Sequence, residues 1–206
     1  LFIFIVNENT TLRKSYNYFK YGWLFGFGYF FASLYWITIA LTFDENFKIL
    51  IPISLILIPS FLAIFYGCAL YIFSFFKKNK YTSLVLIFSV LFGITEFIRG
   101  NILTGFPWNL FVFSFSDNLE FIQILSILGT YSLNIICITF FLIPAVFLLR
   151  QTKSEIYFCS IFILIAVSFI IFGNLKINNK IINTYEKNNF LIKVVSSKID
   201  INRFYN

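Results

Sequence analysis

Apolar runs of membrane-crossing length recur along this chain, and they constrain its fold more than any motif does. Tyr21–Phe43, Ile49–Phe76, Tyr81–Ile98, the second part of Leu119–Leu149, and Ile156–Phe172 are such runs. A helix needs roughly 17 to 25 apolar residues to cross a bilayer. Inside hydrocarbon no water satisfies free backbone N–H and C=O groups, so such runs fold as helices that satisfy their own. The composition agrees: 59% of the residues are hydrophobic and 12% charged, far from the globular balance. We expect an all-α polytopic membrane helix bundle over residues 1–173, with about five full transmembrane helices. Leu1–Val6 (LFIFIV) reads as a helix stub before them.

Details inside the runs refine this expectation. Leu119–Leu149 is too long for one straight crossing, so it splits near Gly129 into a short surface helix and a fourth span that ends past Pro144. Pro52 and Pro59 are expected to bend the second span, which membrane helices tolerate when neighbours satisfy the freed carbonyls. Gly22 and Gly26 form a small-xxx-small pair on the first span, a face against which another helix can pack closely.

The loop charges alternate. Arg13, Lys14 and Lys20, then Lys77, Lys78 and Lys80, then Arg150 and Lys153 mark three basic loops. Between them lie loops around Asp44 and Asp117 with few or no cations. Basic loops stay in the cytoplasm, so the acidic loops and the tail after the fifth span are expected outside it. The net charge of +7 is explained by this loop bias, and no nucleic-acid partner is expected.

The sequence also excludes chemistry. With no His, it can form no Ser-His-Asp or Cys-His catalytic set and no histidine metal site. Cys68, Cys137 and Cys159 each lie within an apolar run and far apart, neither a disulfide framework nor metal spacing. They read as small packing residues, and no metal or cofactor is expected.

One stretch stands apart from a plain membrane helix: Phe92–Trp108, FGITEFIRGNILTGFPW. Glu96 and Arg99, three positions apart on a helix, share one face and can pair. An unpaired charge at membrane depth costs roughly 2.5 to 3.5 kcal/mol on insertion scales. Gly100 and Asn101 then loosen the helix, Gly105 frees the backbone, and Pro107 pushes Phe106 out of the α region. Trp108 is a residue of the bilayer interface. Asn101–Asp117 is expected to be an interfacial or re-entrant loop whose FVFSF segment, Phe111–Phe115, dips into lipid. Two readings stand for Glu96, Arg99, Gly105, Phe106, Pro107 and Trp108. They fix a helix end, or they form a lipid- or substrate-facing motif.

The block E-x-x-R-G followed by TGFPW, Glu96 to Trp108, resembles the signature of bacterial apolipoprotein N-acyltransferases. Tyr21–Ile37 (YGWLFGFGYFFASLYWI) and Ile127–Asn134 (ILGTYSLN) are similar to flanking stretches of that family. The resemblance implies a multi-pass protein of the bacterial inner membrane joined to an outward-facing nitrilase-like α/β domain. It implies transfer of an acyl chain from a phospholipid donor to the N-terminal amine of a diacylglyceryl-cysteine lipoprotein acceptor. It also implies a cysteine thioester served by a glutamate base and a lysine, all in the soluble domain, and a bundle that forms the floor where acyl chains enter. Arg99 would then meet a donor phosphate if Glu96 does not hold it, and Phe106 and Trp108 would meet lipid chains.

Residues 174–189 are polar and Asn/Lys-rich, a linker by composition, and Phe190–Val195 (FLIKVV) reads as a buried β-strand. Residues 190–206 are thus expected to begin an α/β domain, although Ser196-Ser197-Lys198 stand where the family's strand leads into Gln-x-Asn. Without Met, and without the catalytic set, the chain is expected to be a fragment that is inactive alone. A transporter or channel fragment, or a membrane anchor for another transferase, is the alternative.

Overall fold

The computed structural model describes residues 1–8, 15–76, 80–102, 105–149 and 152–183. Its elements are α1 (Phe2–Glu8), α2 (Ser15–Ser33), α3 (Ile51–Phe73), α4 (Tyr81–Asn101), α5 (Leu119–Ile122), α6 (Leu125–Leu128), α7 (Thr130–Leu149) and α8 (Lys153–Asn183). Three 3-10 helices, Tyr35–Thr42, Glu45–Leu50 and Phe111–Phe115, lie between them. Among the described residues four helical stretches are long and apolar enough to cross a membrane: Glu45–Phe73, Tyr81–Asn101, Thr130–Leu149 and Lys153–Asn179. A fifth crossing is made if the bent pair Asn17–Ser33 and Tyr35–Thr42 counts as one span.

The run expected as the first span, Tyr21–Phe43, is thus bent by 48° after Ser33. Ser33 donates from its hydroxyl to the Tyr29 carbonyl at 2.7 Å, and Leu34 leaves the helical region with φ −112° and ψ 7°. The chain then tightens into a 3-10 helix, where Thr38 and Thr42 each bond the carbonyl three residues back. Pro52 opens its α-helix. It sits in the first turn of α3, where a backbone N–H has no helical partner to lose. Pro59 lies inside α3, which continues through it.

Close helix approach occurs where glycine allows it. A Cβ on Gly22 would run into the backbone of Tyr66 and Gly67, and one on Gly26 would lie 3.0 Å from Ala63 Cα. α2 therefore rests on α3 along the expected small-residue face, and Trp23 Nε1 donates to the Ser60 carbonyl at 3.0 Å along the same seam. α4 meets α7 where Gly93 faces Ile135. The shared core is aromatic: Phe30, Tyr66, Phe73, Phe88 and Phe92 are all buried in one cluster. A second cluster, with Leu110, Val112, Phe121 and Leu133, binds the segment after the turn to α5 and α7.

Gly129, with φ 73°, separates α6 from α7 and makes the expected break in the long apolar run. Its positive φ is a conformation that residues with a Cβ rarely adopt. α8 continues past Phe172 to Asn183, through the first part of the segment expected to be a linker. Lys176 helps to hold it there. Its ammonium bonds the Ser126 hydroxyl and lies 5.8 Å from the centre of the Phe172 ring. The expected strand Phe190–Val195 lies outside the described residues, as do Thr104 and the cations Arg13, Lys14, Lys77, Lys78 and Arg150.

Candidate functional site

The charged pair sits on the last turns of α4, which runs unbroken through Gly100 to Asn101 instead of loosening there. Glu96 Oε2 accepts from Arg99 Nε at 3.0 Å and also from Arg99 Nη2. The other oxygen, Oε1, accepts from the Tyr66 hydroxyl on α3. Both charged side chains are completely buried. Separating charges from water costs several kcal/mol per ion, and the pair is tolerable only if its remaining donors and acceptors are satisfied.

Arg99 meets that condition through the turn that follows. Its Nη1 donates to the Phe106 carbonyl at 2.6 Å and its Nη2 to the Trp108 carbonyl at 3.0 Å. The guanidinium carbon also lies 5.1 Å from the centre of the Phe30 ring and 5.8 Å from that of Phe106. A helix-end cation thus fastens the GFPW backbone to α4. Backbone bonds tighten the same turn: Gly105 N–H donates to Ile102 at 2.9 Å and Phe106 N–H to Arg99 at 3.1 Å. Gly105 has φ 75°, and a Cβ there would come within 2.5 Å of the Gly100 carbonyl oxygen. Gly100 is packed in its turn, because the Tyr131 hydroxyl occupies the space a side chain would need.

Pro107 and Trp108 are exposed on the bundle surface. Trp108 meets Trp36 edge to face, with ring centroids 6.4 Å apart. Phe106 is half-buried and packs on the aromatic core. Beyond the turn, Tyr29 donates its hydroxyl to the Asn109 carbonyl at 2.7 Å. The 3-10 helix Phe111–Phe115 is packed on one side against the bundle. Val112 is buried, Phe111 stacks on Tyr29 at 5.3 Å, and Phe115 stacks on Phe121 at 4.5 Å, leaving Phe113 exposed. Asn134 of α7 holds this segment inward by accepting from the Val112 N–H at 3.0 Å.

An open cavity of about 360 Å³ lies between the 3-10 helix Tyr35–Thr42, α3 and the turn, lined by Ile37, Leu57, Phe61, Phe65, Gly105 and Phe106, with Arg99 in its wall. Such a surface can hold a hydrocarbon chain. Among the described residues no cysteine lines it, and Cys137 and Cys159 are buried elsewhere. The site residues singled out in the sequence thus come together, with Glu96 and Arg99 inside and Gly105, Phe106, Pro107 and Trp108 in one turn. Their partners Tyr66, Tyr29 and Asn134 were not foreseen. The signal for Tyr66 was a phenol in mid-span, since a buried Tyr hydroxyl usually finds a partner.

Known proteins match this region. The chain matches the model of the apolipoprotein N-acyltransferase N-terminal domain over residues 1–143. It is 38% identical over 162 residues to the apolipoprotein N-acyltransferase of Rickettsia prowazekii (strain Madrid E), covering 77% of this chain and 32% of that protein. It is 42% identical over 123 residues to the one from Rickettsia bellii (strain RML369-C), covering 58% and 24%. With the one from Rhodopseudomonas palustris (strain ATCC BAA-98 / CGA009) it shares 33% over 135 residues, covering 65% and 25%. The chain spans no more than 32% of the length of these relatives. Because the family model takes in well over half of its residues, this chain belongs to the apolipoprotein N-acyltransferase family.

Proposed function

We propose that these residues form the lipid-handling membrane portion of an enzyme that moves an acyl chain from a phospholipid to a lipoprotein's N-terminal amine. The observation that carries this reading is the apolar cavity whose wall is the Arg99-clamped turn. Glu96 and Arg99 act as structural fasteners, since the guanidinium is taken up by a carboxylate and two carbonyls. Phe106 meets the donor's acyl chain, and Trp108 sits at the membrane interface. The bundle lies in the bacterial inner membrane, with the turn and the tail on its outer side.

The chemistry needs a thiol that this bundle does not supply. A thiolate on a nitrilase-like domain takes the acyl group as a thioester and releases lysophospholipid. The lipoprotein amine then attacks the thioester carbonyl, giving an amide and freeing the thiol, with a glutamate and a lysine handling protons and the oxyanion. The family names of the relatives support this reading. So does the sealing of the charged pair inside protein, which leaves neither charge free to serve a transport pathway.

The test uses the chain in phosphatidylethanolamine vesicles in which the lipid carries a photoreactive acyl chain. Labelling should concentrate on the cavity residues Phe61, Phe65 and Phe106, with no acyl transfer to a diacylglyceryl lipopeptide and no acyl-thioester. Uniform labelling over the outer faces of α3 and α8 would overturn the cavity's role. A thioester on Cys68, Cys137 or Cys159 would overturn the placement of the chemistry.

A further inference from the structure

The turn and the segment after it are tied to the bundle at three levels. Arg99 of α4 holds the carbonyls of Phe106 and Trp108, Tyr29 of α2 holds the carbonyl of Asn109, and Asn134 of α7 holds the N–H of Val112. The first two ties act on carbonyls, which retain a second lone pair for other partners. The third is different. Val112 is a buried residue within a short 3-10 helix, and its N–H donates to a side chain that is itself completely buried. No water stands ready there to replace the acceptor, and a buried donor left without one costs more than an exposed one.

Asn134 also reaches the charged pair through packing. Phe111, next to Val112, stacks on Tyr29 at 5.3 Å and on Tyr66 at 6.5 Å. Tyr66 is the residue that donates to Glu96. A shift of the Phe111–Phe115 segment would therefore be felt at the hydroxyl holding Glu96 and, through Arg99, at the GFPW backbone. The Asn134 amino group has no partner among the described residues, so what α7 contributes here is one accepting oxygen.

We propose that Asn134 is a positioning residue for the lipid-facing turn: its side-chain oxygen sets the Phe111–Phe115 segment, and thereby the place of Trp108. The tether is a claim about this chain alone, while its effect on lipid contact rests on the reading proposed above.

The experiment compares Asn134→Leu with Asn134→Asp in the full chain, reconstituted in vesicles. Leu removes the acceptor, whereas Asp, held neutral by burial, keeps an accepting oxygen in its place and exchanges the unpartnered amino group for a hydroxyl. Amide hydrogen exchange of the Leu110–Phe115 segment should quicken about fivefold or more in Asn134→Leu, as expected for a buried N–H losing its acceptor, and stay near the wild-type rate in Asn134→Asp. Exchange along the α2–α3 seam should not change in either variant. Unchanged segment exchange in Asn134→Leu, equal loss in both variants, or equal acceleration along α2 and α3 would each overturn the tether. In a Trp23→Phe, Trp36→Phe background, fluorescence of Trp108 should be quenched by phosphatidylethanolamine with brominated acyl chains. That quenching should fall at least about twofold in Asn134→Leu and recover in Asn134→Asp, in step with the exchange effect. Unchanged quenching in Asn134→Leu despite faster exchange would overturn the link from Asn134 to Trp108. No quenching in the parent chain would overturn the lipid-facing reading, while the exchange result would still decide the tether.

Discussion

The hydroxyl of Tyr66 donates to Glu96, thirty residues further along the chain and on the next helix. With Arg99 bonding the opposite oxygen, both oxygens of the Glu96 carboxylate are engaged inside the bundle. The ion pair is therefore a junction of α3, α4 and the turn, not a pairing along one helix alone.

Removing the Tyr66 hydroxyl tests the junction from the α3 side. Tyr66→Phe keeps the ring contacts with Phe30 and Phe92, at 5.2 Å and 5.0 Å, and deletes the bond to Glu96. A buried acceptor left short of a partner costs about 1 to 3 kcal/mol. Thermal unfolding in detergent should show this loss. If Tyr66→Phe melts with the parent chain, the phenol is ornamental and the junction is made by Arg99 alone.

The pair itself is tested by a double-mutant cycle. Glu96→Gln strands the guanidinium and Arg99→Gln strands the carboxylate, and breaking a buried pair from one side costs about 3 to 5 kcal/mol. Both single variants should lose folded yield, and the double variant should regain part of it. Additive losses across the cycle would mean that the two side chains stabilise the bundle independently.

The glycine seam carries its own control. Gly22→Leu and Gly26→Leu place a bulky side chain against the α3 backbone and should destabilise by at least about 1 to 3 kcal/mol. Gly28 has open space where its Cβ would be, so Gly28→Leu should be tolerated. Equal unfolding temperatures for all three would move the α2–α3 contact to another face.

Orientation is read by reporter fusions. Those placed after Asn79 and after Arg150 should report the cytoplasm, and those after Asp117 and after Asn179 the opposite side. A cytoplasmic signal at Asp117 would place the GFPW turn on the wrong face for the proposed reaction.

The amino-acid sequence by itself determined four of the spans, the break at Gly129, the Glu96–Arg99 pairing and the small-residue face of α2. Each follows from residues adjacent in the chain or one helical turn apart, because transfer of an apolar segment into hydrocarbon and i,i+3 proximity are local effects. Only the tertiary structure decided that Tyr66 meets Glu96, that Arg99 spends its donors on Phe106 and Trp108, and that Asn134 reaches Val112. Those bonds depend on how each helix is rotated and staggered against its neighbours. α3 and α7 are apolar nearly all round, so their composition does not say which side faces inward. The same holds for α8 running on to Asn183, where the Lys176 ammonium bonds the Ser126 hydroxyl fifty residues back in the chain.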